Sequence, residues 1–163
     1  MFINAILNRL CYQGPTQRKQ GRKGYTVMSY TDETRKKLET ILEAFDTYIE
    51  GQNYFDIVYS KKIGYVWILA DHPEDAGAVQ LDTPEIMLDL LFNEIINDVI
   101  NSPENRFHIP ESHILTEWEQ AEIHRRISVI LDQVGDDKTE YLEYLDEYIR
   151  DHQKRYAGFD ELR

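Results

Sequence analysis

The sequence predicts an α+β domain in which about four helices cover a small antiparallel sheet. Residues 54–82 favour strands, because they are rich in β-branched and aromatic residues interrupted by short polar turns. The segments on both sides of this region carry apolar residues at helical spacing. A lone hairpin is marginal in water, so the helices are expected to cover it.

The strand-rich region divides into three predicted strands. Residues 54–60 and 63–70 are separated by the polar pair Lys61 and Lys62, which is typical of a hairpin. The second run is apolar on both faces, as a central strand is, so a third strand is required and residues 77–82 supply it. We therefore predict a three-stranded meander with residues 63–70 in the middle and Trp67 on its helix-covered face.

Four helices are predicted, over residues 31–50, 84–102, 116–134 and 137–156. Threonines mark three of the starts, because a threonine side chain can cap the free amides of a first turn: these are Thr31 (or its neighbour Asp32), Thr83 and Thr116. The helix over 84–102 is apolar around most of its circumference, which predicts the most buried helix of the fold. Gly135 ends the third helix, and a tight link then predicts an antiparallel helical hairpin.

The charge distribution divides the chain at residue 30. Residues 1–30 contain five bases and no acid, whereas the remaining residues contain all 30 acids and 13 bases. We interpret residues 1–30 as a basic leader that is disordered or dispensable, and residues 31–163 as a single domain. Met28 also suits a translation start, and the codons of Lys23 and Gly24 would resemble a bacterial ribosome-binding site, so a bacterial origin is expected.

Composition limits the classes of partner. An acidic body repels phosphate backbones, so nucleic-acid binding is not expected of it, and the basic arm of residues 18–23 is the alternative that favours such binding. No stretch reaches the ~18 to 20 apolar residues of a membrane span. The single cysteine, Cys11, cannot form an intrachain disulfide, and a cytoplasmic location is the expectation.

Two loops carry residues of the types that bind metals or transfer protons. They contribute Asp71, His72, Glu74 and Asp75 after the predicted central strand, and His108 with His113 further along. A metal-dependent hydrolase-type enzyme that uses both loops is one hypothesis, although the spacing matches no zinc or carboxylate-bundle pattern. Ordinary turn composition is the simpler interpretation. The glycines form no nucleotide-binding pattern, and no cofactor is predicted.

The last predicted helix combines tyrosines with acids, namely Tyr141, Tyr144, Tyr148, Glu143 and Glu147. Exposed tyrosines supply contact area at interfaces, so this surface predicts binding of another protein. Alternatively, the rings form the rim of the core and only their hydroxyls meet water. The leading hypothesis is a small acidic, non-enzymatic binding protein with an unknown protein partner. Homodimerisation through an open sheet edge is a further alternative.

Overall fold

The computed structural model describes residues 30–69, 78–106, 108 and 114–160. Within these residues an α-helix, α1, comes first, three strands follow, and three more α-helices come after them. The elements are α1 (Asp32–Glu50), β1 (Phe55–Ser60), β2 (Gly64–Leu69), β3 (Val79–Gln80), α2 (Pro84–Ile100), α3 (Glu117–Ile130) and α4 (Lys138–Asp160). This order confirms the predicted α+β class, the meander and the four helices.

Threonine caps begin the first three helices, as predicted. The Thr31 hydroxyl accepts a hydrogen bond from the Thr34 amide at 3.1 Å, so Thr31 is the cap and Asp32 is the first helical residue. The Thr83 hydroxyl accepts one from the Ile86 amide at 3.3 Å, with proline next in the chain. In each case the side chain satisfies an amide that has no partner within its helix.

Strand β2 lies in the centre of the sheet and pairs antiparallel with β1 and β3. Two details differ from the prediction. Ile63 belongs to a three-residue turn with Lys61 and Lys62, because Gly64, at φ +78°, opens β2 in the left-handed region. Strand β3 contains only Val79 and Gln80. The amide of the next residue, Leu81, still donates to the Tyr65 carbonyl of β2, but the Leu81 carbonyl accepts a hydrogen bond from the Tyr30 hydroxyl instead of from the Tyr65 amide.

The face of the sheet that carries Trp67 packs against the helices. Trp67 pairs with Ile57 and Val79 in the register and is 3% exposed. Phe55 is also buried on this face, and its ring stacks on Trp67 at 6.0 Å between centroids. Val66 is buried on the opposite face, so the central strand is covered on both sides, as its composition predicts.

Helix α2 forms the middle of the core and is the most buried helix, which confirms the prediction. Its buried residues are Met87, Leu88, Leu90, Leu91, Phe92, Glu94, Ile95, Ile96 and Val99. Helix α1 contributes Leu38, Ile41, Ala44 and Phe45 to the same cluster. Burial of so many large apolar side chains, at roughly 25 cal/mol per Å² of apolar surface, is the main stabilising contribution to the fold.

Helix α3 ends four residues before the predicted boundary. It stops at Ile130, and two short 3₁₀ turns, Leu131–Gln133 and Gly135–Asp137, lead into α4. Gly135 adopts φ +65°, the left-handed conformation that ends many helices. The pairing of α3 with α4 includes a 2.7 Å contact between His124 Nε2 and Asp146 Oδ1.

Tyr30 is part of the folded core. It is the last residue of the segment that the sequence assigns to the leader, yet it is 9% exposed and belongs to the hydrophobic cluster. The folded domain therefore includes residue 30. Residues 1–29 lie outside the described residues, so the interpretation of that segment as dispensable stays a prediction.

Candidate functional site

Helix α4 forms one wall of a surface cleft of about 200 Å³. Four of the five residues that the sequence singled out on this helix line the cleft: Tyr141, Glu143, Tyr144 and Glu147. Tyr141 and Tyr144, Tyr144 and Glu147, and Glu143 and Glu147 are three or four positions apart, which makes each pair neighbours on the helix surface. Residues of the first two turns of α2 and one residue of α1 complete the cleft, which we call the acidic cleft.

Carboxylates surround the acidic cleft. Its lining includes Glu85 from α2 and Glu140, Glu143 and Glu147 from α4, and all four residues are exposed. Among the described residues that line it, Lys37 of α1 is the single cation. The lining therefore has three more negative than positive charges at neutral pH, and such a concave charged surface concentrates cations from solution.

Lys37 bridges α1 to α4 across the acidic cleft. Its Nζ donates a hydrogen bond to Glu140 Oε1 at 3.3 Å, and the side chains are 35% and 64% exposed. This hydrogen bond and the charge of Glu140 raise the pKa of Lys37 above its ordinary value. An exposed ion pair of this kind contributes little to the free energy of unfolding.

Tyr141 is a core residue and not the exposed anchor that the sequence suggested. It is 3% exposed, and its hydroxyl has no hydrogen-bond partner among the described residues. Burial, and after it the charges of the nearby carboxylates Asp137, Glu140 and Glu85, raise the pKa of Tyr141 to about 12.

Tyr144 and Tyr148 rest on the core with their rings half-buried. Both contact Phe92, at 6.3 and 6.0 Å between ring centroids. The Tyr144 hydroxyl donates a hydrogen bond to Asp89 Oδ1 at 2.7 Å. The two rings therefore form the rim of the core, which is the alternative interpretation of the sequence. Of the predicted binding surface, Glu143 and Glu147 are the exposed residues.

Of the residues in the two loops that the sequence proposed as a metal or proton-transfer site, the structure describes only His108. Its Nδ1 lies 3.2 Å from Glu119 Oε1, and the histidine is part of a structural network. Asp71, His72, Glu74, Asp75 and His113 lie outside the described residues. Within the described ranges, no group of three or more His, Cys, Asp or Glu side chains is arranged to hold a metal ion.

Glu119 organises the network that contains His108. It is 1% exposed and completes a capping box, because its carboxylate accepts a hydrogen bond from the Thr116 amide at 2.7 Å. Asn105 Nδ2 donates to the other carboxylate oxygen at 2.6 Å. Burial alone would raise the pKa of Glu119, but the hydrogen bonds from Thr116, Asn105 and His108 outweigh burial and lower it.

Two tyrosine–carboxylate pairs on α2 were not foreseen from the sequence. The Tyr54 hydroxyl donates to Glu94 Oε2, and the Tyr48 hydroxyl donates to Asp98 Oδ2 at 2.7 Å. Burial raises the pKa of Glu94, and the charge of Asp98 raises it further, although the hydrogen bond from Tyr54 lowers it. In the sequence, the available signal was a glutamate among the apolar residues of α2. Glu94 is 5% exposed in the structure, and the tyrosines that pair with the carboxylates of α2 come from distant segments, which the sequence does not reveal.

Comparisons with known proteins do not assign this chain to a family. No protein-family model matches it, and neither a curated protein nor a solved structure is significantly similar to it. In the part of the chain that the structure describes, no helix is both long and apolar enough to cross a lipid bilayer. Evidence on function therefore comes from the geometry of the molecule itself.

Proposed function

We propose that this chain is a small non-enzymatic protein of the cytoplasm that binds another protein through the acidic cleft and the exposed carboxylates of α4. The supporting observation is the convergence of Tyr141, Glu143, Tyr144 and Glu147 with Glu85 in one concave surface. The exposed carboxylates steer encounter with a positively charged partner, and the half-buried ring of Tyr144 offers preorganised contact area.

Charge reversal at exposed positions tests this proposal more cleanly than loss of the tyrosines. Truncation of Tyr144 and Tyr148 to alanine would also remove two rings from Phe92, so lost binding would not be separable from lost stability. The Glu143→Lys and Glu147→Lys double variant changes two exposed side chains and is expected to fold normally.

The experiment is site-specific photo-crosslinking in the cells that make the protein. A photoreactive amino acid replaces Glu143 in one variant and Val129, which is 59% exposed on α3, in the control. We expect a crosslinked protein of defined mass from position 143 only. When the crosslinking is repeated in lysates of these cells at several salt concentrations, we expect Glu147→Lys to reduce the product most at low salt. Equal products at positions 143 and 129, or none at either, would contradict the proposal, and a crosslink to a second copy would make the partner this chain itself.

A further inference from the structure

We infer that strand β1 pairs with β1 of a second copy of this chain, antiparallel and across a two-fold axis at Val58, to form a six-stranded sheet. This inference goes beyond the proposed function, because no residue of β1 lines the acidic cleft. It gives a geometry to the sheet-edge alternative that the sequence left open. Its support comes from the unpaired edge of β1, the exposed side chains on that edge, and the register that its charges favour.

Strand β1 lies at an edge of the sheet. Among the described residues it pairs with β2 alone, and β2 pairs with β3 on its other side. The Tyr65 carbonyl and amide are bonded on the β3 side, to the Leu81 amide and the Tyr30 hydroxyl. Tyr59, which lies opposite Tyr65, is therefore in a non-hydrogen-bonded pair, and its own amide and carbonyl point away from β2.

The amide of Ile57 points the same way. Backbone groups alternate in direction along a strand, so the amides and carbonyls of Phe55, Ile57 and Tyr59 all lie on the outer edge. The Ile57 amide donates to Asp56 Oδ1 of its own chain at 2.7 Å. Asp56 is exposed, so a main-chain carbonyl of a second copy can replace its carboxylate at this amide. Such an edge is a ready template for another strand.

Two large apolar side chains are exposed next to each other on this edge strand. Val58 is 37% exposed and Tyr59 is 51% exposed, and Val129 on α3 is the third large apolar side chain that is exposed among the described residues. Val58 lies opposite Val66, which is buried on the face of the sheet away from Trp67. Pairing at Val58 would extend this apolar row into the second copy and remove apolar surface from water.

Charge and strand length disfavour three registers. A two-fold axis at Asp56 sets two carboxylates directly opposite each other, which is destabilising. An axis at Ile57 sets each carboxylate opposite Val58, where it has no polar partner. An axis at Tyr59 pairs Ile57 with Lys61, which lies in the turn and not in the strand.

The axis at Val58 makes the two strands complementary. It sets Asp56 opposite Ser60 of the second copy, whose hydroxyl can donate to the carboxylate, beside the two lysines of the β1–β2 turn. It also sets Ile57 opposite Tyr59, so that their outward amides and carbonyls exchange hydrogen bonds. The acidic end of each strand thus meets the basic end of the other. A strand of six residues makes a small interface, so we expect a weak, concentration-dependent dimer.

The experiment is analytical ultracentrifugation of the purified full-length protein at concentrations up to about 1 mM, which saturates a dimer whose Kd is micromolar. The average mass should rise towards that of two chains. Val58→Lys should weaken dimerisation at least about tenfold, because two ammonium groups would meet at the axis. Val129→Lys makes the same change at an exposed valine on α3 and should leave the affinity unchanged. Circular dichroism checks that both variants are folded.

Cysteine crosslinking tests the register independently. In a Cys11→Ser background, Val58→Cys should form a disulfide between two chains on mild oxidation, because the Cα atoms of a directly opposed, non-hydrogen-bonded pair are ~4.5 Å apart. Tyr59→Cys is the control at the neighbouring exposed position. It should not crosslink, since its two copies would be diagonal to each other at ~7 to 8 Å.

Four results would overturn the inference. They are a mass that does not change with concentration, equal effects of Val58→Lys and Val129→Lys on dimerisation, and a disulfide that forms as fast in Tyr59→Cys as in Val58→Cys. The fourth is capture of a different protein, and not of a second copy, by a photoreactive amino acid at position 58 in cells. None of these results bears on crosslinking from position 143, so the inference and the proposed function fail separately.

Discussion

The phenol of Tyr30 occupies the space beside Gly64 that a side chain would need. A Cβ at position 64 would lie 2.1 Å from the Tyr30 hydroxyl oxygen. That hydroxyl donates to the Leu81 carbonyl and accepts from the Tyr65 amide, both at 2.9 Å. One side chain from the start of the domain therefore joins the beginning of β2 to the residue after β3, and glycine at position 64 makes this possible.

Gly64→Ala should destabilise the protein much more than Gly135→Ala. Both glycines have positive φ, which costs a residue with a Cβ about 1 to 2 kcal/mol. Nothing lies within 4 Å of a Cβ at position 135, whereas a Cβ at position 64 would displace Tyr30 and its two hydrogen bonds. We expect a loss of about 3 to 4 kcal/mol for Gly64→Ala against about 1 to 2 for Gly135→Ala, measured by urea unfolding. Equal losses for the two variants would show that the Tyr30 side chain can move away from position 64 without a cost in stability.

Truncation at two neighbouring positions tests where the domain begins. A chain that starts at Met28 should keep the melting temperature of the full chain, because the sequence before it has no apolar periodicity that requires a place in the core. A chain that starts at Thr31 lacks Tyr30 and should melt several degrees lower, since it loses a buried aromatic ring.

Tyr30→Phe in the full chain is the matched control for this truncation. It removes only the bridging hydroxyl and should cost about 1 to 3 kcal/mol, because the Leu81 carbonyl and the Tyr65 amide lose their partner. A lower melting temperature for the chain that starts at Met28 would contradict the leader interpretation, since it would place earlier residues in the fold.

Trp67→Ala should cost about 3 to 5 kcal/mol in the free energy of unfolding, as truncation of a buried large aromatic side chain does. Trp67 is 3% exposed, and its Nε1 has no hydrogen-bond partner among the described residues. Trp67→Phe keeps an aromatic ring against Phe55 and removes the unpartnered N–H, so it should cost clearly less. Denaturant unfolding of both variants measures the difference, and an alanine variant that loses less than ~1 kcal/mol would refute the register.

Glu94 should make stability fall as the pH rises. Burial raises its pKa, so the folded chain binds this proton more tightly than the unfolded chain does. The stabilisation is complete below the ordinary glutamate pKa of about 4.3 and is lost as the pH passes through the raised value. Glu94→Gln cannot ionise, so its stability relative to the native chain should improve from pH 4 to pH 7.

Thermal melts across this pH range measure the effect, with Glu143→Gln as the control because Glu143 is exposed. Tyr54→Phe should cost about 1 to 3 kcal/mol at pH 7, since it leaves the buried Glu94 carboxylate without the hydroxyl donor. A pH profile of Glu94→Gln parallel to that of the native chain would show that Glu94 titrates as an exposed acid.

Local patterns in the sequence predicted the elements of this fold, and distant contacts account for the differences. Threonine caps and apolar periodicity act within a few residues, so the starts of α1, α2 and α3 were predictable. At the end of strand β3, the Leu81 carbonyl accepts a hydrogen bond from Tyr30, 51 positions earlier, instead of from β2. No local pattern carries that information.

The acidic cleft likewise combines features that local sequence patterns predicted with features that depend on distant contacts. The spacing of Glu143, Tyr144 and Glu147 on α4 was visible in the sequence, because one helix carries all three. Lys37 meets Glu140 across 103 positions, and this pairing depends on how α1 packs against α4. The burial of Tyr141 also depends on packing between helices. The spacing of residues along one helix does not show this, so the prediction that Tyr141 is exposed was wrong.

Glu119 connects the end of α2 to the beginning of α3 through hydrogen bonds, so we expect the two termini to open together. Asn105, which bonds its carboxylate, also donates to the carbonyls of Val99 and Ile100 in the last turn of α2. The same carboxylate holds the Thr116 amide before α3. Local opening at either terminus must break this shared carboxylate's bonds, so amide hydrogens of both termini should exchange with solvent deuterium with similar free energies of opening. Glu119→Ala should accelerate exchange at both places together.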